Sequence, residues 1–171
     1  GRLDDCRPAS LAGELEASAR WEAATQRLAD LALSASATRG TLDFSRLALT
    51  TPGAALFTRG TASLEALDLT GFLQAKNLAR VSETLGTYAK VDTAGLRGHG
   101  ALALAVSGPP THPAAKVVGT LSDFAVAGIA AESIHVDADV PDVTKPLNTD
   151  TTLSAKRLMV GERTFEEVTL D

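Results

Sequence analysis

The chain has 171 residues, of which 44% are hydrophobic and 22% charged, with a net charge of −5. This balance excludes a disordered polar tail, and the absence of any basic cluster excludes a nucleic-acid-binding surface. Aromatic residues make up only 4%, and no apolar run approaches the ~18 residues that a transmembrane helix needs.

The chain begins at Gly1 and ends on a strand-like pattern at Asp171, so residues 1–171 are read as a single segment of a longer, repetitive protein. The one cysteine, Cys6, allows no internal disulfide. From Leu11 to Glu22 the apolar Leu15, Ala17, Ala19 and Trp21 alternate with Glu14, Glu16, Ser18, Arg20 and Glu22. A period near two predicts a strand, although the Ala, Glu, Leu and Arg content keeps a helix in competition. Alternation resumes from Leu28 to Thr38, with Leu31, Leu33, Ala35 and Ala37 on one side, and Gly40 turns the chain.

Short strands then follow at roughly 8–12-residue spacing, the rhythm of all-β folds. They are expected near Thr41–Phe44, Arg46–Thr50, Ala54–Arg59 and Ala62–Thr70, with Pro52-Gly53 a turn. Leu78, Val81, Leu85 and Tyr88 fall instead at helical spacing, which predicts one short helix near 78–89 with Ser82 as a cap. Beyond Gly98-His99-Gly100 come strands at Ala101–Ser107, Ala114–Asp123, Phe124–Ala127, Ser133–Val140, Thr151–Lys156 and Thr164–Leu170. A repeat at an offset of 34 aligns Phe124 with Leu158, Val126 with Val160, Glu132 with Glu166 and Ile134 with Val168. Val136 then aligns with Leu170, and Asp137 with Asp171.

Candidate chemistry is sparse. The glycines at 98 and 100 lead into Leu102-Ala-Leu104-Ala-Val106, a strand, whereas a dinucleotide loop must open a helix. His135, Asp137 and Asp139 share a strand face, with Asp142 just beyond. They lack the glycine turn and bidentate Glu of a calcium loop and read as a solvated face. No zinc-ligand spacing, nucleophile elbow, phosphate loop or paired carboxylates occur, so an enzyme is not expected, nor any metal or cofactor.

Two sets of residues carry a family resemblance. Gly98-His-Gly-Ala-Leu-Ala-Leu-Ala-Val-Ser-Gly-Pro-Pro-Thr-His-Pro113, running on to Gly119-Thr-Leu121, resembles a unit of the AsmA/TamB-like bacterial envelope proteins. Thr41-Leu-Asp-Phe-Ser-Arg-Leu-Ala-Leu-Thr-Thr-Pro-Gly53, with Gly60 and Leu64-Glu-Ala-Leu-Asp-Leu-Thr-Gly71, is similar to the same pattern. The likeness covers residues 41–171, and residues 1–40 are compatible with it. It implies an elongated, curled, β-taco-like sheet with an apolar groove, in a protein anchored in the inner membrane of a Gram-negative bacterium and crossing the periplasm. The implied role is phospholipid transport towards the outer membrane. The implied alternative is assembly of outer-membrane proteins with a β-barrel partner. The chain would be a middle section, without the anchor.

The alternation itself predicts an all-β sheet of about 12–14 strands, some 60 Å long at about 4.8 Å per strand. Its oily side would consist of Leu15, Trp21, Leu31, Leu33, Leu42, Phe44, Leu47, Leu49, Leu67, Leu69, Leu102, Leu104, Val106, Leu121, Phe124, Val126, Ile134, Val136, Leu158, Val160, Val168 and Leu170. If that side is an open groove, these residues meet phospholipid acyl chains. If the sheet closes into a sandwich or solenoid, they pack on one another and no lipid site exists. Sheet edges offered to a partner by strand addition make a third reading.

Overall fold

In the computed structural model, residues 12–23, 26–89, 95–145 and 149–171 are described. Ten strands form one antiparallel sheet in strict chain order. They are β1 (Gly13–Ala23), β2 (Gln26–Thr38), β3 (Thr41–Thr50), β4 (Ala54–Ala62) and β5 (Leu67–Ala75). After helix α1 (Leu78–Ala89) come β6 (Arg97–Gly108), β7 (Ala114–Val126), β8 (Ile129–Val140), β9 (Asp150–Val160) and β10 (Arg163–Leu170). The sheet is mostly β and open: β1 and β10 lie at opposite edges and do not pair with each other.

The alternation is satisfied strand by strand. Register partners in an antiparallel pair lie on the same face. Leu31 opposite Leu49, Leu33 opposite Leu47, Leu69 opposite Val106 and Leu121 opposite Ile134 therefore build one apolar face. Glu16 opposite Ser34, Asp30 opposite Thr50 and Lys116 opposite Asp139 build the other. The stretch that competed as a helix, residues 11–22, is strand β1 from Gly13 onward, because its Leu15, Ala17 and Ala19 meet Ala35, Leu33 and Leu31 of β2.

Hairpin turns set the register. Arg39 and Gly40 (φ 50° and 82°) close β2–β3, and Ala127 and Gly128 (φ 46° and 83°) close β7–β8. Two successive positive φ values define the type I′ turn, whose twist matches that of paired strands. Gly161 (φ 60°) begins the corresponding two-residue turn of β9–β10.

The strands are fewer and longer than the sequence rhythm suggests: ten, of 8 to 13 residues. Thr41–Phe44 and Arg46–Thr50 are one strand, β3, with an extra residue at Ser45 that β4 does not match. Ala114–Asp123 and Phe124–Ala127 likewise merge into β7, where Asp123 (φ 51°) is the bulged residue between Ser122–His99 and Ala125–Arg97. Thr151–Lys156 extends through Arg157 (φ 47°) to Val160 as β9. At Ser45 and Asp123 a break in alternation that resembles a strand end is a bulge, which absorbs one residue and lets pairing continue, whereas Arg157 keeps one register with β8 and β10 on both its sides.

Helix α1 falls where the 3.6-residue spacing placed it, but its cap differs. Asn77 Oδ1 accepts the backbone N–H of Arg80 at 3.2 Å, while Ser82 lies within the helix. Asn77 directly precedes the first helical residue and so reaches the free N–H groups of the first turn, which Ser82 cannot do. The helix start is held to the β3–β4 turn, where Lys76 and Asn77 N–H both donate to the Gly53 carbonyl at 2.9 and 3.0 Å.

No second layer covers the sheet among the described residues. Among the described residues the buried apolar side chains are six alanines: Ala35, Ala48, Ala55, Ala75, Ala125 and Ala131. The accessible surface is 11794 Å², against about 8,000 Å² for a compact monomer of this length. A sandwich of the same sequence would bury leucines and valines that here remain at least partly open.

Candidate functional site

All 22 residues of the expected oily side lie on one face. Leu15 and Trp21 on β1 sit opposite Ala35 and Ala29. Leu42, Phe44, Leu47 and Leu49 on β3 meet Ala62, Gly60, Thr58 and Leu56 of β4. Leu67 and Leu69 on β5 face Gly108 and Val106, and Leu102 and Leu104 face Leu73 and Gly71. Val136 on β8 lies opposite Gly119 and Leu153. At the far edge Val168 and Leu170 lie opposite Ala155 and Leu153.

Phe124, Val126, Leu158 and Val160 reach this face only through a row of phase jumps. Along β7 the apolar positions step from Leu121 to Phe124, along β8 from Ala131 to Ile134, along β9 from Ala155 to Leu158, and along β10 from Phe165 to Val168. Each step is three residues instead of two. The registers align these jumps, with Phe124 opposite Ala131 and Leu121 opposite Ile134, then Ile134 opposite Ala155 and Leu158 opposite Phe165. The face therefore continues unbroken across all four strands.

The same registers add residues not singled out from the sequence: Leu56, Leu73, Val117, Val140, Leu153 and Phe165. Leu56, Val117, Val140 and Leu153 continue the period-two pattern of their own strands. Gly71 hides Leu73 by standing where the next apolar residue of β5 should be. Following the paired rows from β1 to β9, no ionisable residue occupies this face among the described residues. Arg163, at the tip of the last hairpin, is the first.

Exposure is graded along the face. Side chains of β4 to β8 are mostly half-buried by their neighbours, whereas Leu15 is 51% and Leu170 61% exposed at the two edges. Glycines keep the central rows thin. A Cβ on Gly119 would run into the Ala101 carbonyl oxygen and lie 2.7 Å from Leu102 Cδ2. One on Gly100 would meet the Thr120 carbonyl and lie 2.9 Å from Leu121 Cδ2. Two leucines thus fold over bare backbone of the adjacent strand.

The opposite face is polar and laced across strands. Arg20 Nε donates to Asp30 Oδ1 at 2.9 Å, Arg157 Nη1 lies 3.1 Å from Glu132 Oε2, and Thr120 Oγ1 lies 3.3 Å from His135 Nδ1. Asp30, by hydrogen bond first and charge second, holds Arg20 above the usual guanidinium value. Asp137, paired with Lys116 at 4.0 Å, and its neighbours His135 and Asp139 belong to this solvated face. Among the described residues no group of three His, Cys, Asp or Glu could hold a metal ion. Phe57 and Phe72, stacked at 5.0 Å between centroids, are the aromatic exception on the polar side. The expectations at Cys6, Leu11 and Lys90 lie outside the described residues, as do the side chains of Leu85 and Tyr88.

No described helix is long and apolar enough to cross a membrane. Comparisons of the chain with protein-family models, curated proteins and solved structures found no match.

Proposed function

We propose that this chain is a section of an AsmA/TamB-like protein of the bacterial envelope, and that its apolar face carries phospholipid acyl chains across the periplasm between the inner and outer membranes. The observation that carries the reading is the continuous apolar face of a single-layer sheet, without ionisable residues from β1 to β9 and with nothing over it among the described residues. An exposed apolar surface of this extent needs an apolar partner. An acyl chain gains about 0.8 kcal/mol per methylene on leaving water and asks no hydrogen bond in return. Small and aliphatic side chains without ionisable groups make a wall along which such a chain slides without a deep trap. Nine intervals of about 4.8 Å make the sheet some 43 Å across its strands, shorter than the alternation alone implied. The role is non-catalytic, and the groove needs no metal or cofactor.

A second reading rests on the edges. β1 and β10 each have one strand side unpaired within the sheet, so a scaffold for outer-membrane protein assembly would add a partner's strand there, for instance from a β-barrel.

Native mass spectrometry with lipid extraction, on protein purified from bacterial envelopes, separates the two. A groove gives co-purified phospholipid that is lost in folded Leu104→Asp or Val136→Asp variants. Lipid-free protein that also fails to crosslink to photoactivatable phospholipid sinks the groove reading. Sensitivity to proline substitution in β1 or β10 instead favours the scaffold.

A further inference from the structure

The polar face carries a second feature that the apolar face does not require. An open cavity of about 680 Å³ lies between the start of α1 and the α1-proximal ends of β6 to β9. Its charged walls are Lys76, Arg97, His99 and Arg157 on the cationic side and Asp123 and Glu132 on the anionic side. Glu132 is taken by Arg157 at 3.1 Å, and Asp123 lies 3.8 Å from His99 Nδ1. Even with His99 neutral, three cations then stand against two carboxylates, in a chain whose net charge is −5. Ala130 and Met159 supply its apolar lining on this face.

Two backbone outliers meet at this wall. Asp123 and Arg157 both adopt left-handed conformations, which disfavour any residue with a Cβ. Glycine would fit both backbone conformations better. A side chain is nevertheless present at each, and each takes part in a charge pair that faces the cavity. The first turn of α1 carries no acid to offset the positive end of its dipole on the same side.

We infer that this cavity is an oxyanion site, taking a phosphate-type group through Lys76, Arg97 and Arg157. The three cations come from the β5–α1 junction, β6 and β9, so they approach from different directions. That suits a group with several equivalent oxygens better than a planar carboxylate. The volume leaves room for an organic substituent against Met159. Arg97, His99, Ala130 and Met159 belong to the rows opposite the apolar face, so the site does not rest on the acyl-chain reading.

The test is amide NMR titration of the isotope-labelled chain at constant ionic strength. One arm uses inorganic phosphate, and the other dihexanoyl phosphatidylglycerol below its micelle concentration. Saturable shifts at Asn77, Gly98 and His99 are expected, weakened about tenfold or more in Lys76→Gln/Arg97→Gln and unchanged in Lys116→Gln on the same face. Arg157→Gln alone provides a second variant, and circular dichroism checks that all three retain the sheet. Saturation by both probes identifies a free phosphate as sufficient, and saturation by the phospholipid alone identifies a headgroup as the source. Shifts that do not saturate, that persist in both cavity variants, or that map to the apolar face alone overturn the inference.

Discussion

Arg157 and Asp123 stand 34 positions apart and flank Glu132 from the two sides of β8, each with a left-handed backbone at φ 47° and 51°. The pair makes the 34-residue repeat physical: β7 and β9 carry the same left-handed backbone at the same height. Arg157 reaches Glu132 across the strand boundary, and the matched three-residue steps of β7 to β10 keep the apolar face in phase. Replacing Arg157 by Gly removes the ion pair but relieves the backbone. The exposed pair is worth at most about 1 kcal/mol, so stability is expected to change by less than that in urea unfolding.

The two type I′ turns are suboptimal at their first position. Arg39 and Ala127 hold φ values that Asn adopts far more readily. Arg39→Asn and Ala127→Asn are each expected to stabilise by roughly 0.5–1 kcal/mol, since Asn-Gly favours this turn. A rise in the urea midpoint without a change in slope checks this, and a fall contradicts the turn geometry.

Gly119→Ala is expected to destabilise by roughly 1–3 kcal/mol, because the new methyl meets the Ala101 carbonyl and Leu102. The cost is steric at this position. Gly161→Ala makes a useful contrast: nothing lies within 4 Å of its Cβ position, and only the positive φ opposes the change, by about 1 kcal/mol. Equal costs for the two would show that strand crowding is not what selects Gly119.

Asp142 ties the β8–β9 connection by accepting from Thr144 Oγ1 at 2.6 Å and Thr144 N at 3.0 Å. These bonds, the hydroxyl first, hold its carboxyl below the usual aspartate range. A depressed carboxylate contributes stability that is fully present above the unfolded value and is lost as pH falls through the folded one. The native chain is therefore expected to lose more stability than Asp142→Asn between neutral pH and the acid side of 3.8. Parallel acid-unfolding curves for the two proteins would contradict the assignment.

On the acyl-chain reading, delipidated chain is expected to bind an apolar dye several-fold more strongly than chain carrying lipid, and to self-associate until mild detergent is added. Thr120→Asp, on the polar face, leaves both properties unchanged, whereas Val136→Asp lowers dye binding. A delipidated chain that stays monomeric and dye-silent would mean that the apolar face is covered in solution.

Much of this architecture is legible in the sequence because a half-exposed strand has the simplest of codes. Every second residue of β6, from Leu102 to Val106, is apolar, and no tertiary contact needed guessing. The helix was equally plain from Leu78 and Val81. What escaped was phase. A bulge at Ser45 or Asp123 inserts one residue, and a period-two count reads the insertion as a strand end. Leu73 escapes for a related reason, since Gly71 interrupts the pattern where Thr58 Cγ2 of β4 leaves no room for a side chain. The cavity beside α1 was invisible, because Lys76, Arg97 and Arg157 are far apart in the chain and only the sheet order brings them together.

Each strand pairs only with the one before it and the one after it. The molecule is consequently counted in hairpins, each adding about 10 Å. No described strand depends on the distant end of the chain for its place. Every closure is local, so assembly can start at any hairpin and spread outwards in both directions. Deleting β9 and β10 would give a shorter ruler with the same markings. Lineages could lengthen or trim such a protein two strands at a time, matching its span to a changing distance without redesigning a core.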